Sequence, residues 1–213
     1  MPPWPDRSKW ASMARVTSAS LIRRAQDGDE LAFDELYCAV HPGLLRYLRV
    51  LVGSDAEDVA SEAWLCMVRD LHTFSGDDQA FRGWAASIAR HRAIDHLRHR
   101  DRRPAVPVPA DDFMELPASE DAEALALTAV ATDAAVRLIA TLPPDQAEAV
   151  MLRAVLGLDA KTAGKVLGKR PGAVRTAAHR GLQRLAEQLT SAPTSENRAR
   201  VTFLTAPTVK EAR

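Results

Sequence analysis

The chain has 213 residues, with 28 Lys and Arg set against 28 Asp and Glu, so its formal net charge is zero. Hydrophobic residues make up 46% and aromatics only 5%, enough for the cores of one or two domains and, with abundant alanine, weighted towards helix. No run approaches the ~18 consecutive apolar residues of a membrane span, and the polar, Pro-rich start lacks the apolar core of a signal peptide, which predicts a cytoplasmic protein without membrane insertion.

In chain order, residues 1–17 are expected to be a disordered N-terminal extension. A first helix is predicted from about Ser20 to Gln26, ended by "DGD". In "ELAFDELYCAVHPGLLRYLRVLVG", Phe33, Leu36, Tyr37 and Val40 share a face, and Leu44, Leu45, Leu48, Leu51 and Val52 follow; Pro42 predicts a kink or break between them. "DAEDVASEAWLCMVRDL" carries an apolar stripe of Val59, Ala63, Cys66, Met67 and Leu71, with Asp58, Glu62 and Arg69 on the other side. Acids in its first turn suit the helix dipole.

"AFRGWAASIARHRAIDHLRHRDRR" aligns Phe81, Trp84, Ala85 and Ile88. The step from Ile88 to Ile94 shifts the apolar face by about a third of a turn, so the pattern predicts a break or bend at Arg90-His91-Arg92. Four prolines in 104–118 read as an extended linker. A second unit over 119–190 is expected to open with an Ala-rich helix from about Ser119 to Thr141, followed by "PPDQAEAVMLRAVLG", with proline in the first turn. Residues 191–213 form a C-terminal tail whose one apolar patch is "VTFLTAP".

Net neutrality hides segregation. Residues 82–103 hold seven arginines against two acids, and 143–189 hold eight Lys and Arg against four acids. Residues 53–80 hold seven acids against Arg69 alone, and 104–133 hold seven acids and no Lys or Arg. Charge in blocks implies separate surfaces for separate partners. The two cysteines, Cys38 and Cys66, lack C-x-x-C spacing and sit at apolar helical positions, the pattern of buried thiols. His91, Asp95, His96 and His99 include metal-like i, i+4 pairs, but arginines surround every one of them and would repel a cation; no metal, cofactor or catalytic residue is assigned.

"DAKTAGKVLGKRPGAVRTAAHRGLQRLAEQL" has the logic of a helix-turn-helix. Gly164 permits a close helix crossing, Gly168 supplies the turn, Pro171 opens the second helix, and Val174 plugs the core. That second helix is predicted to bury Val174, Ala178, Leu182, Leu185 and Leu189. It presents Gly172, Arg175, Thr176, His179 and Gln183, with Arg180 and Arg184 beside them. Donors for base edges and cations for phosphates are what a recognition helix needs; a solvated basic surface helix is the blander alternative.

With these motifs in view, the chain resembles the extracytoplasmic-function (ECF, group 4) sigma factors of bacterial RNA polymerase. "DGDELAFDELY", "DAEDVASEAWL", "FRGWAASIARHRAIDHLR" and "LPPDQAEAVMLRAVLGLDAKTAGKVLGKRPGAVRTAAHRGLQRL" match the family pattern in order, over about residues 18–189. The resemblance implies an all-α protein of two small helical domains. Sigma domain 2 would span 18–103 and sigma domain 4, with the helix-turn-helix, 119–190. The Pro-rich acidic linker, 104–118, would thread the polymerase's nucleic-acid channel.

It further implies that Asp58, Glu62 and Arg69 meet the clamp helices of the polymerase core. Arg90, His91, Arg92, Asp95 and Arg98 would read and open the −10 promoter element, with His91 at the corner that captures a flipped base. Arg175, Thr176, His179 and Arg180 would read the −35 element. Promoter DNA and core polymerase are the implied partners, and an anti-sigma factor is a common third. Three departures stand out: Ala60-Ser61 for the usual Val-Gln, Ala177 for a usual arginine, and Arg170 for a usual serine cap. The rival readings are a stand-alone helix-turn-helix regulator and a degenerate polymerase-binding sigma-like protein.

Overall fold

The computed structural model describes residues 18–102 and 132–191. The expectations for the N-terminal extension, the linker, the first part of the Ala-rich helix and residues 192–213 fall outside them. All regular structure among the described residues is helical. No helix among them is long and apolar enough to cross a membrane.

The first domain comprises α1 (Ser18–Gln26), α2 (Glu30–Val52), α3 (Ala56–Asp70) and α4 (Asp78–Arg102), with single 3-10 turns at Gly53–Asp55 and Leu71–Thr73. Asp29 caps α2, its carboxylate accepting from the Ala32 N–H at 3.1 Å. That bond, reinforced by Arg24, holds the Asp29 carboxyl below its ordinary range.

The break expected at Pro42 is absent: α2 runs through it. Leu36, Val40, Leu44, Tyr47, Leu48 and Val52 are all buried along one face. Burial of a single continuous stripe outweighs the ~3 kcal/mol cost of an interior proline.

The break expected at residues 90–92 is absent too, because small residues carry the buried face across them. Phe81, Ala85, Ala89 and Ala93 recur every fourth residue and are 0–1% exposed. This alanine stripe carries α4 across the point where the large apolar residues change face, and Ile88, Ile94 and Leu97 are only half-buried beside it. Small side chains let α4 lie close against its neighbours.

The second domain holds α5 (residues 132–140), α6 (Pro144–Val150), α7 (Ala160–Leu167) and α8 (Pro171–Ser191). Pro144 opens α6 as expected. α6 widens into a π-helical turn, Met151–Val155, closed by Leu156 N–H to Met151 O at 2.9 Å. Met151, Leu152 and Leu158, all 0% exposed, fill the centre of this domain with Val174 of α8.

The two domains pack on each other. Leu156 fills the space over Gly43 of α2. Gln79 of α4 donates to Gly157 O at 3.1 Å and accepts from Asp159 N–H at 3.3 Å. Gly83 of α4 sits directly under Thr162 of α7.

Candidate nucleic-acid and polymerase interfaces

The helix-turn-helix is built by local chemistry. Asp159 caps α7 by accepting from the Thr162 N–H at 2.7 Å, and this bond is the main cause of its depressed carboxyl pKa. Gly168 ends α7 in the left-handed region, φ 66° and ψ 30°. At Gly164 a Cβ would lie 2.6 Å from the Lys169 carbonyl oxygen, so only glycine lets the turn fold back this tightly. Val174, 0% exposed, plugs the angle between the helices.

α8 then divides into two faces, with one correction to the predicted inner one. Val174, Ala178, Gly181 and Leu185 are buried, whereas Leu182 and Leu189 are 50% and 67% exposed. The buried line advances by four, three and four residues, so Gly181, against Val150 and Leu142, takes the place expected of Leu182. Arg175, Thr176, His179 and Arg180 are exposed together, with Gln183 and Arg184 further along. The Thr176 hydroxyl donates to Gly172 O at 3.1 Å, and its oxygen keeps acceptor capacity. Of the departures, Ala177 is half-buried and packs on the core, so its place is not on the outer face. The Arg170 carbonyl accepts from Val174 N–H at 3.2 Å.

On α4, His91, Asp95, Arg98, His99 and Arg102 are exposed along one side. Arg98 approaches Asp95 at 3.7 Å. Arg92 is half-buried. His96 turns the other way, its Nε2 2.8 Å from Asp55 Oδ2, with Arg100 at 3.7 Å from the same oxygen. The His96 hydrogen bond is the main cause of the lowered Asp55 pKa. Arg90 also leaves the surface set: it faces the second domain, Nε 2.7 Å and Nη2 3.3 Å from the two Glu148 oxygens. Among the described residues no three His, Cys, Asp or Glu side chains are grouped to hold a metal ion.

On α3, Asp58, Glu62 and Arg69 are exposed, and Arg69 forks onto Asp70 with two contacts of 2.8 Å. Ala60 is 1% exposed and belongs to the core; only Ser61 of that departure reaches the surface, where its hydroxyl donates to Glu57 O at 3.0 Å. Two apolar residues missed in the sequence share this face: Leu65, 72% exposed, and Val68, 53% exposed. Their signal was phase, since both lie off the buried line of Val59, Ala63, Met67 and Leu71. Val68 opens onto a cleft of about 390 Å³ lined by Phe33, Leu71 and His72 among others. A charged rim around exposed apolar side chains is the make-up of a protein-docking face.

Two family models match the chain: Sigma-70 region 2 over residues 36–103 and Sigma-70 region 4 over residues 132–185. The ECF RNA polymerase sigma factor ShbA of Streptomyces griseus is 37% identical over 175 residues, covering 78% of this chain and 92% of that one. The ECF RNA polymerase sigma factor SigD of Mycobacterium tuberculosis is 32% identical over 180 residues, covering 81% and 84%. In fold, the chain is similar to CnrH, solved in complex with the cytosolic domain of CnrY, at a TM-score of 0.55 and 22% identity over 82% of this chain and 98% of that one. It is similar also to the sigma factor RpoE of Bartonella quintana, solved with the anti-sigma factor NepR, at 0.54 and 19% over 75% and 98%. Both region models, in order and on the two packed helical domains, together with these relatives along most of their length, place the chain in the ECF RNA polymerase sigma factors, which direct transcription initiation.

Proposed function

We propose that this sigma factor directs initiation from a cytoplasmic holoenzyme at promoters read in two places, and that it carries no catalytic centre of its own. Arg175, Thr176, His179 and Arg180 read the −35 element as duplex in the major groove. The outer side of α4, with His91, Arg92, Asp95 and Arg98, and with Arg90 once freed from Glu148, reads and opens the −10 element. His91 supplies stacking or hydrogen bonding to an unpaired base, and the arginines hold the displaced strand. Asp58, Glu62 and Arg69, now with Leu65 and Val68, engage the clamp helices of the core enzyme.

The observation that carries this reading is the two-sided α8, with Val174, Ala178, Gly181 and Leu185 buried opposite an unbroken exposed set of Arg175, Thr176, His179 and Arg180. A helix held this firmly by one face presents the other at a fixed angle, as groove readout requires. CnrH and RpoE were each solved with a bound partner, an anti-sigma factor in the case of RpoE; we propose an anti-sigma partner for this chain as well.

The test is reconstituted run-off transcription with core polymerase, on promoters mapped from RNA 5′ ends after overproduction. Initiation should require core enzyme and both elements, and scrambling either element should abolish it. Tight operator binding without polymerase, and no initiation with it, would overturn the two-element reading.

A further inference from the structure

Cations crowd the C-terminal half of α4, and the fold disposes of them unequally. Arg90 is taken up by Glu148, whose Oε2 also accepts from the Tyr47 hydroxyl at 3.0 Å. His91, Asp95, Arg98, His99 and Arg102 are exposed along one side. Arg92, His96 and Arg100 form a second row beside it, each one turn from the next. Two of that row share a single carboxylate. Asp55, in the turn between α2 and α3, places Oδ2 2.8 Å from His96 Nε2 and 3.7 Å from Arg100 Nη1. Its Oδ1 accepts from the Ser54 hydroxyl at 3.1 Å. An ionised carboxylate only accepts, so His96 Nε2 carries the proton of its bond. That bond is also the main cause that keeps Asp55 ionised, by lowering its pKa.

The side chains of His96, Asp55 and Arg100 are 29%, 32% and 51% exposed, so strand phosphates can reach the group. An ion pair this exposed contributes little to stability; what it changes is the field beside the α4 surface. Phosphate contacts hold DNA of any sequence, and only base contacts fix a register. A phosphate drawn to Arg100 or His96 meets the Asp55 carboxylate immediately behind them. The row that would bind backbone in any register is thereby weakened, and the His91 side is left to the bases. We propose that Asp55 is a specificity-determining residue for promoter opening: its carboxylate withholds His96 and Arg100 from the DNA backbone, so that a strand is retained on α4 by its −10 sequence. The inference rests on the assignment of α4 to the −10 element. Asp55 itself touches no base; it acts through the two cations.

The test compares holoenzymes of core polymerase and full-length protein on two labelled single strands, the non-template −10 sequence of a mapped promoter and its scramble. Asp55→Asn keeps the shape and an acceptor oxygen but removes the charge. The scrambled strand should then be held about fivefold more tightly at about 0.1 M salt, with a log–log salt slope steeper by about 0.7, the contribution of one phosphate neutralised on a single strand. The −10 strand, fixed in register by its bases, should gain less, so discrimination falls. Asp55→Glu, which restores a carboxylate, should keep the natural discrimination. Adding Arg100→Gln to Asp55→Asn should return the slope and the scrambled-strand affinity to their natural values. A merely structural Asp55 would weaken both strands together without steepening the slope; that result, or an unchanged scrambled-strand affinity, overturns the proposal. Should Asp55→Asn not fold, Arg100→Gln alone decides, since Arg100 is exposed. It should leave both strands bound as before, and a weakened −10 strand would show that Arg100 is not withheld. A natural holoenzyme that binds both strands equally would instead remove the −10 assignment itself.

Discussion

Trp64 Nε1 donates a hydrogen bond to His41 Nδ1 at 3.1 Å, across from α3 to α2. Indole nitrogen is only a donor, so Nδ1 of His41 must be unprotonated in this bond. Tyr37 stacks on the same imidazole, ring centroids 4.6 Å apart. Burial pushes the His41 pKa below 6.5, against the opposing pull of Glu57. A histidine with a lowered folded pKa stabilises the protein above its unfolded value, and that contribution is lost as pH falls through the folded one. Thermal unfolding should therefore show stability falling as pH drops below the ordinary histidine range, a dependence absent in His41→Gln. An equal loss in the variant would assign the pH dependence elsewhere.

Gly164→Ala should damage the helix-turn-helix without touching any DNA-facing group. Its Cβ would meet the Lys169 carbonyl at 2.6 Å, backbone that has nowhere to retreat. A cost of ~1–3 kcal/mol is expected in urea unfolding, with a parallel loss of −35 binding. Unchanged stability would mean that the turn is looser than its geometry indicates.

Leu65→Ala should weaken binding to core polymerase by ~1–2 kcal/mol while leaving the melting temperature in place, because the side chain is 72% exposed in the free protein. Titration against core enzyme reads the first quantity and calorimetry the second. Loss of stability with normal binding would make Leu65 a structural residue.

Arg175→Ala should cost ~1–3 kcal/mol at the −35 element if the guanidinium reads a base, and the loss should vanish on a scrambled element. A uniform loss on every sequence, with a shallower salt dependence, would reassign Arg175 to phosphate.

His91→Ala should slow promoter opening, read by permanganate reactivity of unpaired thymines, with core binding unchanged. His91 is exposed and bonds no core element that would mask the result. Loss of core binding to the same degree would end the base-capture assignment.

Much of the fold was legible because its determinants are local. The close-packed Gly164, the left-handed Gly168 and the plug Val174 occupy the positions that the spacing of "DAKTAGKVLGKRPGAV" requires. The errors share a cause as well. Ala89 and Ala93, whose burial makes α4 continuous, carry too little side chain to stand out beside Ile88 and Ile94, and Gly181 is buried where Leu182 was expected. A small residue signals burial only through what packs on it, and sequence alone does not supply that neighbour.

Periodicity, capping and charge blocks, all short-range properties, determined by themselves that this chain is helical, carries a helix-turn-helix in its second half and segregates its acids from its arginines. Only the tertiary structure decided which arginine is spent within the protein. Arg90 lies among six arginines in residues 89–103 and looks like its neighbours in sequence. Packing brings Glu148 to it from 58 residues away, with Tyr47 closing the socket. An ion pair depends on distance in space, and no local pattern encodes the docking of one domain on another.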